Sequence, residues 1–332
     1  MKNEKLGYLS SLDLLRGLAA LAVCYFHFTH GNPEFLSKSN ILYVSGRFGF
    51  LGVDVFFVIS GFVIPYAMYR GSYHLKDFGR FLTKRVVRIE PPYLVSIVLV
   101  IFLNWVSTLS PYYRGAALNI NFEALALHLG YLNAFFNFPW VNDVYWTLAI
   151  EFQYYLLIAL LFPLLVHPEK KFSYGVLLIF GISGFFLTSH NFIFNHSLLF
   201  IVGILLFQFQ IGYLSKKEFG AFLLIALIMI FVKFDKRYLV AALLPYFFIT
   251  YFEFNDRVSK FLGNISYSLY LVHIPIGGRI INVCEGHIKD EFIRSVFVFI
   301  AFFVSIASAW LFYKFIEKPF IGISKRITYK KT

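Results

Sequence analysis

The sequence has little charge and almost no cysteine. Only 14% of its 332 residues are charged and 59% are hydrophobic, far more apolar surface than one soluble core can bury. Its two cysteines, Cys24 and Cys284, form neither a disulfide framework nor a CxxC motif. GxSxG, P-loop and GxGxxG motifs are also missing, so the familiar signatures of those nucleophile and nucleotide sites do not apply. The composition therefore indicates a protein that stays within the membrane.

Long apolar runs are what the sequence does contain. They predict an all-α polytopic membrane protein with about ten transmembrane helices. The predicted spans are 10–29, 48–69, 91–109, 145–166, 172–189, 193–214, 219–233, 237–253, 264–283 and 292–313. Because no long polar segment and no internal repeat interrupts them, we expect residues 1–332 to form a single membrane domain without a separate soluble domain.

The positions of Lys and Arg predict the orientation. With the N-terminus in the cytoplasm, 20 of the 30 basic residues fall in inner segments, nine fall in outer segments and Arg16 lies within a span. This bias favours both termini inside. The net charge of +12 therefore reflects basic residues that flank the spans on the inner side of the membrane, and no nucleic-acid partner is expected.

Residues 122–138 are apolar but short. Glu123, His128 and Asn133 interrupt the run. This pattern favours a helix in the outer interface, or a re-entrant segment, over an additional span.

The first apolar segment contains two costly polar groups, Arg16 and His27. Eleven residues at about 100° each return to within roughly 20° of the starting direction, so both side chains share one helix face, about 16 Å apart along the axis. Ionisable groups inside a span usually have a functional or partner-based reason. Asp13, one turn before Arg16, could pair with that arginine.

Counting from the outer end of its span puts Glu151 in the same half of the membrane as His27. A histidine and a carboxylate at one depth could form a base and its orienting partner. They could equally form a hydrogen bond that only fixes helix packing.

Two further groups have both a functional and an ordinary interpretation. Arg85 and Arg88, with other basic residues before Pro91, suit a ligand with several phosphates, but a positive-inside anchor for lipid headgroups looks the same. Ser268, Tyr270 and His273 indicate either a cavity or packing hydroxyls. No third ligand lies near His27 and His30, so no metal is expected.

Six strings in order resemble one family, the integral-membrane acyltransferase-3 proteins. They are LDLLRG at 12–17 followed by His27, FFVISGF at 56–62, RVVRIEPPY at 85–93, WTLAIE at 146–151, SYSLYLVH at 266–273 and EKPF at 317–320. The resemblance covers nearly the whole chain. It implies transfer of an acyl group, acetyl above all, from cytoplasmic acyl-CoA to a hydroxyl of a cell-surface or lipid-linked glycan at the bacterial inner membrane.

The resemblance also implies roles for matching residues. His27 would be the catalytic base and Glu151 its helper, while Arg16, Arg85 and Arg88 would hold the phosphates of acyl-CoA. The possible cavity or substrate residues are Asp13, Ser60, Tyr93, Trp146, Ser268, Tyr270 and His273.

Larger family members carry a periplasmic hydrolase-like domain after the last span, so here we expect the membrane domain or a separate partner to complete the transfer. A transporter or flippase for an anionic lipid or glycan is the alternative, and a non-catalytic partner of a biosynthetic complex is a third interpretation. Sugar selectivity would lie in outer loops 30–47 and 110–144. The sequence leaves four questions open: which sugar is the acceptor, whether the donor carries acetyl or a longer acyl group, whether transfer is direct or through an acyl-enzyme intermediate, and what the oligomeric state is.

Overall fold

The computed structural model describes residues 10–110, 120–252, 254 and 256–329, and every regular element in these ranges is helical. Residues 111–119 of the predicted outer loop lie outside the described part. The α-helices are α1 (Ser10–His30), α2 (Ile41–Gly46), α3 (Leu51–Arg70), α4 (Phe78–Thr108), α5 (Phe122–Leu127), α6 (Trp146–Leu165), α7 (Lys170–Phe186), α8 (Ser197–Gln210), α9 (Lys216–Lys233), α10 (Lys236–Tyr251), α11 (Arg257–His273), α12 (Arg279–His287), α13 (Glu291–Phe312) and α14 (Lys318–Lys325). The predicted all-α class is confirmed.

Six helical segments among the described residues are long and apolar enough to cross a membrane. They are Ser11–His30, Ile41–Arg70, Leu75–Thr108, Asp143–Leu165, Ile193–Gln210 and Glu291–Lys325. Several such segments in one chain support a multi-pass membrane protein. The remaining predicted spans correspond to the shorter helices α7, α9, α10 and α11, so the count of ten stays a prediction.

The basic residues before the predicted span 91–109 belong to the same helix as that span. α4 runs without interruption from Phe78 to Thr108, through both Pro91 and Pro92. Proline removes a backbone hydrogen bond but need not end a membrane helix, because neighbouring groups can satisfy the freed carbonyls. Arg85 and Arg88 are therefore held on a rigid element.

The segment 122–138 is not a spanning helix. Its only α-helix is α5, six residues long, and 3-10 turns follow at His128–Gly130 and Asn133–Phe136. Six residues rise only about 9 Å, far less than the hydrocarbon thickness. The structure thus excludes the spanning alternative for this segment.

Helices α1 and α11 pack backbone against backbone. Gly17 of α1 lies against Leu262, and Gly263 of α11 lies against Asp13, so that a Cβ atom at either glycine would clash. Small residues at such crossings allow membrane helices to approach closely. This close approach brings the polar residues of α11 next to those of α1.

Two π-helical turns mark polar positions late in the chain. Ile274–Gly278, which contains Pro275, separates α11 from α12, and Tyr313–Glu317 separates α13 from α14. Turns of this kind are frequent at functional sites. His273 ends the helix before the first turn, and Glu317 is the last residue of the second.

Candidate active site

A cavity of about 140 Å³, which we call the arginine cavity, lies among α1, α3, α4, α6 and α11. Its charged lining residues are Arg16, Arg85, Arg88, Glu151 and Glu317. Three positive and two negative formal charges leave an excess of one positive charge. The structure therefore brings the three predicted arginines together, from two helices, around a space suited to an anion.

Arg85 is the most buried of the three arginines, with 7% of its surface exposed. Its guanidinium lies 5.3 Å from the ring centre of Phe81 and 5.5 Å from that of Tyr155. Its Nε is buried and has no hydrogen-bond partner among the described residues. Aromatic faces offset part of the cost of burying this charge, but they leave donor capacity for a ligand.

Glu151 also lines the arginine cavity. Its Oε1 accepts hydrogen bonds from Tyr155 at 2.7 Å and from Ser60 at 3.2 Å. The predicted residue Ser60 is thereby tied to this carboxylate rather than facing the cavity alone. Both contacts hold Glu151 toward the arginines.

Glu317 is a site residue to which the sequence interpretation gave no role. Its side chain is 3% exposed, and its Oε2 accepts a 2.6 Å hydrogen bond from Ser268. Glu317 lines the arginine cavity together with Arg16 and Arg88. The EKPF string at 317–320 was the available signal, because a glutamate among apolar residues of a helix end is costly unless it is paired.

A second cavity, of about 330 Å³, contains His27, and we call it the histidine cavity. Asp54, Asp143, Trp146 and Tyr270 are among its other lining residues. No lysine or arginine belongs to its lining in the described part of the chain. With two acidic residues and no basic side chain in this lining, the histidine cavity lacks the positive charge of the arginine cavity.

The hydrogen bonds of His27 define its tautomer. Its Nδ1 lies 2.9 Å from the carbonyl oxygen of Val23 and 3.1 Å from Nε2 of His273. Because a carbonyl can only accept, Nδ1 carries the proton in the neutral ring. Nε2 of His27 has no hydrogen-bond partner among the residues described, so its lone pair is available to the cavity.

His273 supports this assignment from the neighbouring helix. Its own Nδ1 is 2.9 Å from the carbonyl oxygen of Leu269 and therefore donates, which makes its Nε2 an acceptor. His273 is 1% exposed, so its ring is fixed in place. Its Nε2 accepts a hydrogen bond from the Nδ1–H group of His27, which that group shares with the carbonyl oxygen of Val23, and this contact orients the His27 ring.

The two cavities meet at Val53 and Tyr270, which line both. The hydroxyl of Tyr270 donates to the carbonyl oxygen of Val144 at 2.9 Å and lies 2.5 Å from Oγ1 of Thr147. These bonds hold the ring at the boundary. A ligand that extends from one cavity to the other would pass this tyrosine.

The predicted direct pairing of His27 with Glu151 is not formed in this structure. The two residues line different cavities, and Glu151 is hydrogen-bonded to Ser60 and Tyr155 instead. Similar depth did not bring them together, since depth does not specify which way a side chain points around the helix axis.

Two other predicted residues lie outside the arginine cavity. Tyr93 is fully buried in an aromatic cluster, with its ring centre 4.8 Å from those of Tyr131 and Tyr145. Trp146 lines the histidine cavity, and its ring centre lies 3.9 Å from that of His190. Tyr93 therefore packs the bundle, whereas Trp146 can contact a ligand.

Sequence reasoning missed several residues of the histidine cavity. Asp54 is 7% exposed inside α3, and His196 is 5% exposed at the start of α8. Burial lowers the pKa of the nearby His190, so its ring is neutral near pH 7. An aspartate inside an apolar span was a usable signal for Asp54, whereas the two histidines sit beside loops and carry no such signal.

The described residues contain no group of three metal-ligating side chains. The bundle holds a cavity lined by three arginines and, directly beside it, a histidine with an available ring nitrogen. This arrangement defines a multi-pass membrane protein equipped to bind an anionic ligand and to accept a proton.

Comparison with known proteins identifies the family. A family model described as an acyltransferase domain, that of the acyltransferase-3 proteins, matches residues 9–314. This chain belongs to the acyltransferase-3 family. The predicted resemblance is thus confirmed.

Two similar proteins come from Staphylococcus aureus. A protein of strain COL with the provisional name O-acetyltransferase is 26% identical over 374 aligned positions, which cover 96% of this chain and 58% of the relative. The O-acetyltransferase OatA of strain NCTC 8325 is 31% identical over 172 residues, which cover 49% of this chain and 26% of OatA. This chain thus spans well under two thirds of the length of these relatives. No solved structure matches it.

Proposed function

We propose that this protein is a membrane O-acetyltransferase that moves an acetyl group from acetyl-CoA to a hydroxyl of a cell-surface or lipid-linked glycan. The observation that carries the proposal is the junction of the two cavities at Tyr270, with arginines on one side and His27 on the other. The family and the names of the relatives support the same reaction class.

The donor binds in the arginine cavity. Arg16, Arg85 and Arg88 contact the phosphates of coenzyme A, and the pantetheine arm extends past Tyr270 toward His27. Support comes from the excess positive charge of this cavity and from the unpartnered Nε of Arg85. The spacing of about 16 Å between Arg16 and His27 along α1 is within reach of that arm.

The reaction in the histidine cavity needs one base. Nε2 of His27 removes the proton of the acceptor hydroxyl, whose oxygen attacks the thioester carbon. The new C–O bond forms, the C–S bond breaks, and the proton passes from His27 to the departing thiolate. The products are an O-acetyl ester and free coenzyme A. The neutral tautomer with its available Nε2 supports this role.

Glu151 acts on the donor side. Its contacts with Ser60 and Tyr155 hold a carboxylate among three arginines, so it limits their mutual repulsion and keeps their side chains in place. We therefore propose that Glu151 assists catalysis by organising donor binding rather than by touching His27.

The membrane arrangement follows from this chemistry. Ten spans with both termini in the cytoplasm would put the arginine cavity on the side where acyl-CoA is made and His27 near the outer surface. The inward bias of basic residues supports this orientation. The location we propose is the bacterial cytoplasmic membrane.

The test uses purified protein in proteoliposomes, with radiolabelled acetyl-CoA and envelope glycan extracted from a strain that lacks the gene. We expect free coenzyme A to appear only when the glycan is present, together with label in the glycan. Coenzyme A release without glycan labelling would contradict the proposal. Glycan that crosses the bilayer unmodified would instead indicate a flippase.

A further inference from the structure

A third cavity lies beside the histidine cavity and differs from both others. Its volume is about 270 Å³, and its polar lining residues are Asn104, Asn142, Asp143, Arg279 and Asn282. We call it the asparagine pocket. Asp143 lines this pocket and the histidine cavity alike, so the two spaces are neighbours.

The asparagine pocket contains an unused hydrogen-bond donor. Asn142 is 5% exposed, and its Nδ2 is buried without a hydrogen-bond partner in the part of the chain that the structure describes. Leaving a buried amide donor unsatisfied is unfavourable, because the group has lost its hydrogen bonds to water. A ligand that accepts from this group would recover that cost.

The charge of the pocket selects the class of ligand. The two Nη atoms of Arg279 donate to Oγ of Ser107 and to Oδ1 of Asn104, both at 2.5 Å. Its guanidinium donates to neutral groups and keeps its positive charge, which the carboxylate of Asp143 balances, so the lining has no net formal charge. The other polar groups are carboxamides, which both donate and accept as sugar hydroxyls do, so a neutral polyhydroxylated ligand suits the pocket better than an ion.

The apolar part of the lining completes the match. The lining also contains four aliphatic residues, namely Val100, Val141, Ile274 and Pro275. A neutral sugar ring has hydroxyls at its edge and C–H groups on its faces, so it needs both kinds of surface. A few placed polar groups on an apolar wall are typical of small-molecule sites.

We propose that the asparagine pocket is a second acceptor subsite, which binds the neutral sugar unit next to the one that is acetylated. The inference rests on the proposed function. One sugar presents its hydroxyl to His27 in the histidine cavity. The adjoining sugar lies on the other side of Asp143, in the asparagine pocket. The acceptor is therefore an oligosaccharide or polysaccharide rather than a monosaccharide.

The test compares Asn282→Trp with Val283→Trp. Asn282 lines the pocket from α12, has no hydrogen-bond partner among described residues and is exposed, so a large side chain there fills the space. Val283 is the adjacent residue, is 64% exposed and does not line the pocket. Asn282→Ala is a milder second variant in case the tryptophan impairs folding.

The probes are envelope glycan from the deletion strain, used intact and after hydrolysis to monosaccharides, with radiolabelled acetyl-CoA. Wild-type protein should have a kcat/KM at least about tenfold higher for intact glycan than for the monosaccharides. Asn282→Trp should raise KM for intact glycan about tenfold with kcat nearly unchanged, as expected when binding alone is lost. Asn282→Ala should raise KM about threefold, and Val283→Trp should behave as wild type.

Three results would overturn the subsite. Wild-type protein could acetylate monosaccharides as efficiently as intact glycan, both Asn282 variants could keep the wild-type KM, or Val283→Trp could raise KM as much as Asn282→Trp. Absence of transfer from wild-type protein to either acceptor would instead refute the proposed function itself, and the subsite with it.

Discussion

The arginine cavity and the histidine cavity lie side by side but differ in their charged groups. The first contains three arginines against two glutamates, and the second contains Asp54 and Asp143 with no basic residue in its described lining. An anion therefore finds cationic partners in the first cavity and none in the described lining of the second. Under the proposed function, this difference keeps a polyanionic donor and a neutral acceptor in separate parts of one bundle.

The comparison predicts that replacing His27 affects chemistry alone. We expect His27→Ala to lower the rate of acetyl transfer about 1000-fold, because general-base catalysis contributes about 10²–10⁴. Binding of acetyl-CoA, measured by isothermal titration calorimetry in detergent, should change less than twofold. His30→Ala is the control. His30 lies three residues after His27 on α1, stacks on Tyr43 of α2 and lines neither cavity. A His27→Ala protein with more than a tenth of the wild-type rate would refute the assignment of His27 as the general base.

Replacing Arg85 should weaken donor binding and leave the rate of the chemical step nearly unchanged. Arg85→Met keeps much of the volume but removes the charged donors, so KM for acetyl-CoA should rise about 100-fold with a small change in kcat. Arg80→Met is the matched control on the same helix, because Arg80 donates to the backbone of Tyr329 and does not line the cavity. An unchanged KM with a lower kcat would contradict the division of roles.

His273 should influence the rate through His27. Without the acceptor Nε2, the His27 ring loses a contact that fixes its orientation, so His273→Ala should lower kcat about tenfold and leave KM for acetyl-CoA unchanged. His273→Gln can still accept through its amide oxygen and should recover most of the lost rate. A folded glutamine variant as slow as the alanine variant would argue against this positioning role.

Helical periodicity is enough to predict that Arg16 and His27 share a face of α1, and the structure puts them in neighbouring cavities. Depth alone is not enough to predict contacts between helices. Glu151 lies at a depth that suggests His27, but the rotation of α6 turns it toward Ser60 and Tyr155. Such rotations depend on packing between distant helices, which one sequence does not reveal.

Other differences between the sequence-based expectations and the structure have local causes. Pro91 suggests a helix start, yet α4 begins at Phe78, because a proline inside a membrane helix can be accommodated by its neighbours. The contact between His27 and His273 requires the close approach at Gly17 and Gly263, and glycines that permit such a crossing look in the sequence like many others. The all-helical class depends only on apolar run length, and it was predictable.

Ser268 offers the smallest expected effect and the finest test of the comparison. Ser268→Ala removes the 2.6 Å hydrogen bond that holds Glu317, so this carboxylate would turn further toward Arg16 and Arg88 and compete with the donor phosphates. KM for acetyl-CoA should rise about threefold, the scale of one hydrogen bond, with kcat unchanged. Ser305→Ala is the control, because that buried Oγ has no partner among the described residues. A change in kcat without a change in KM would instead connect Glu317 to the chemistry at His27, and the separation of the two cavities by role would fail.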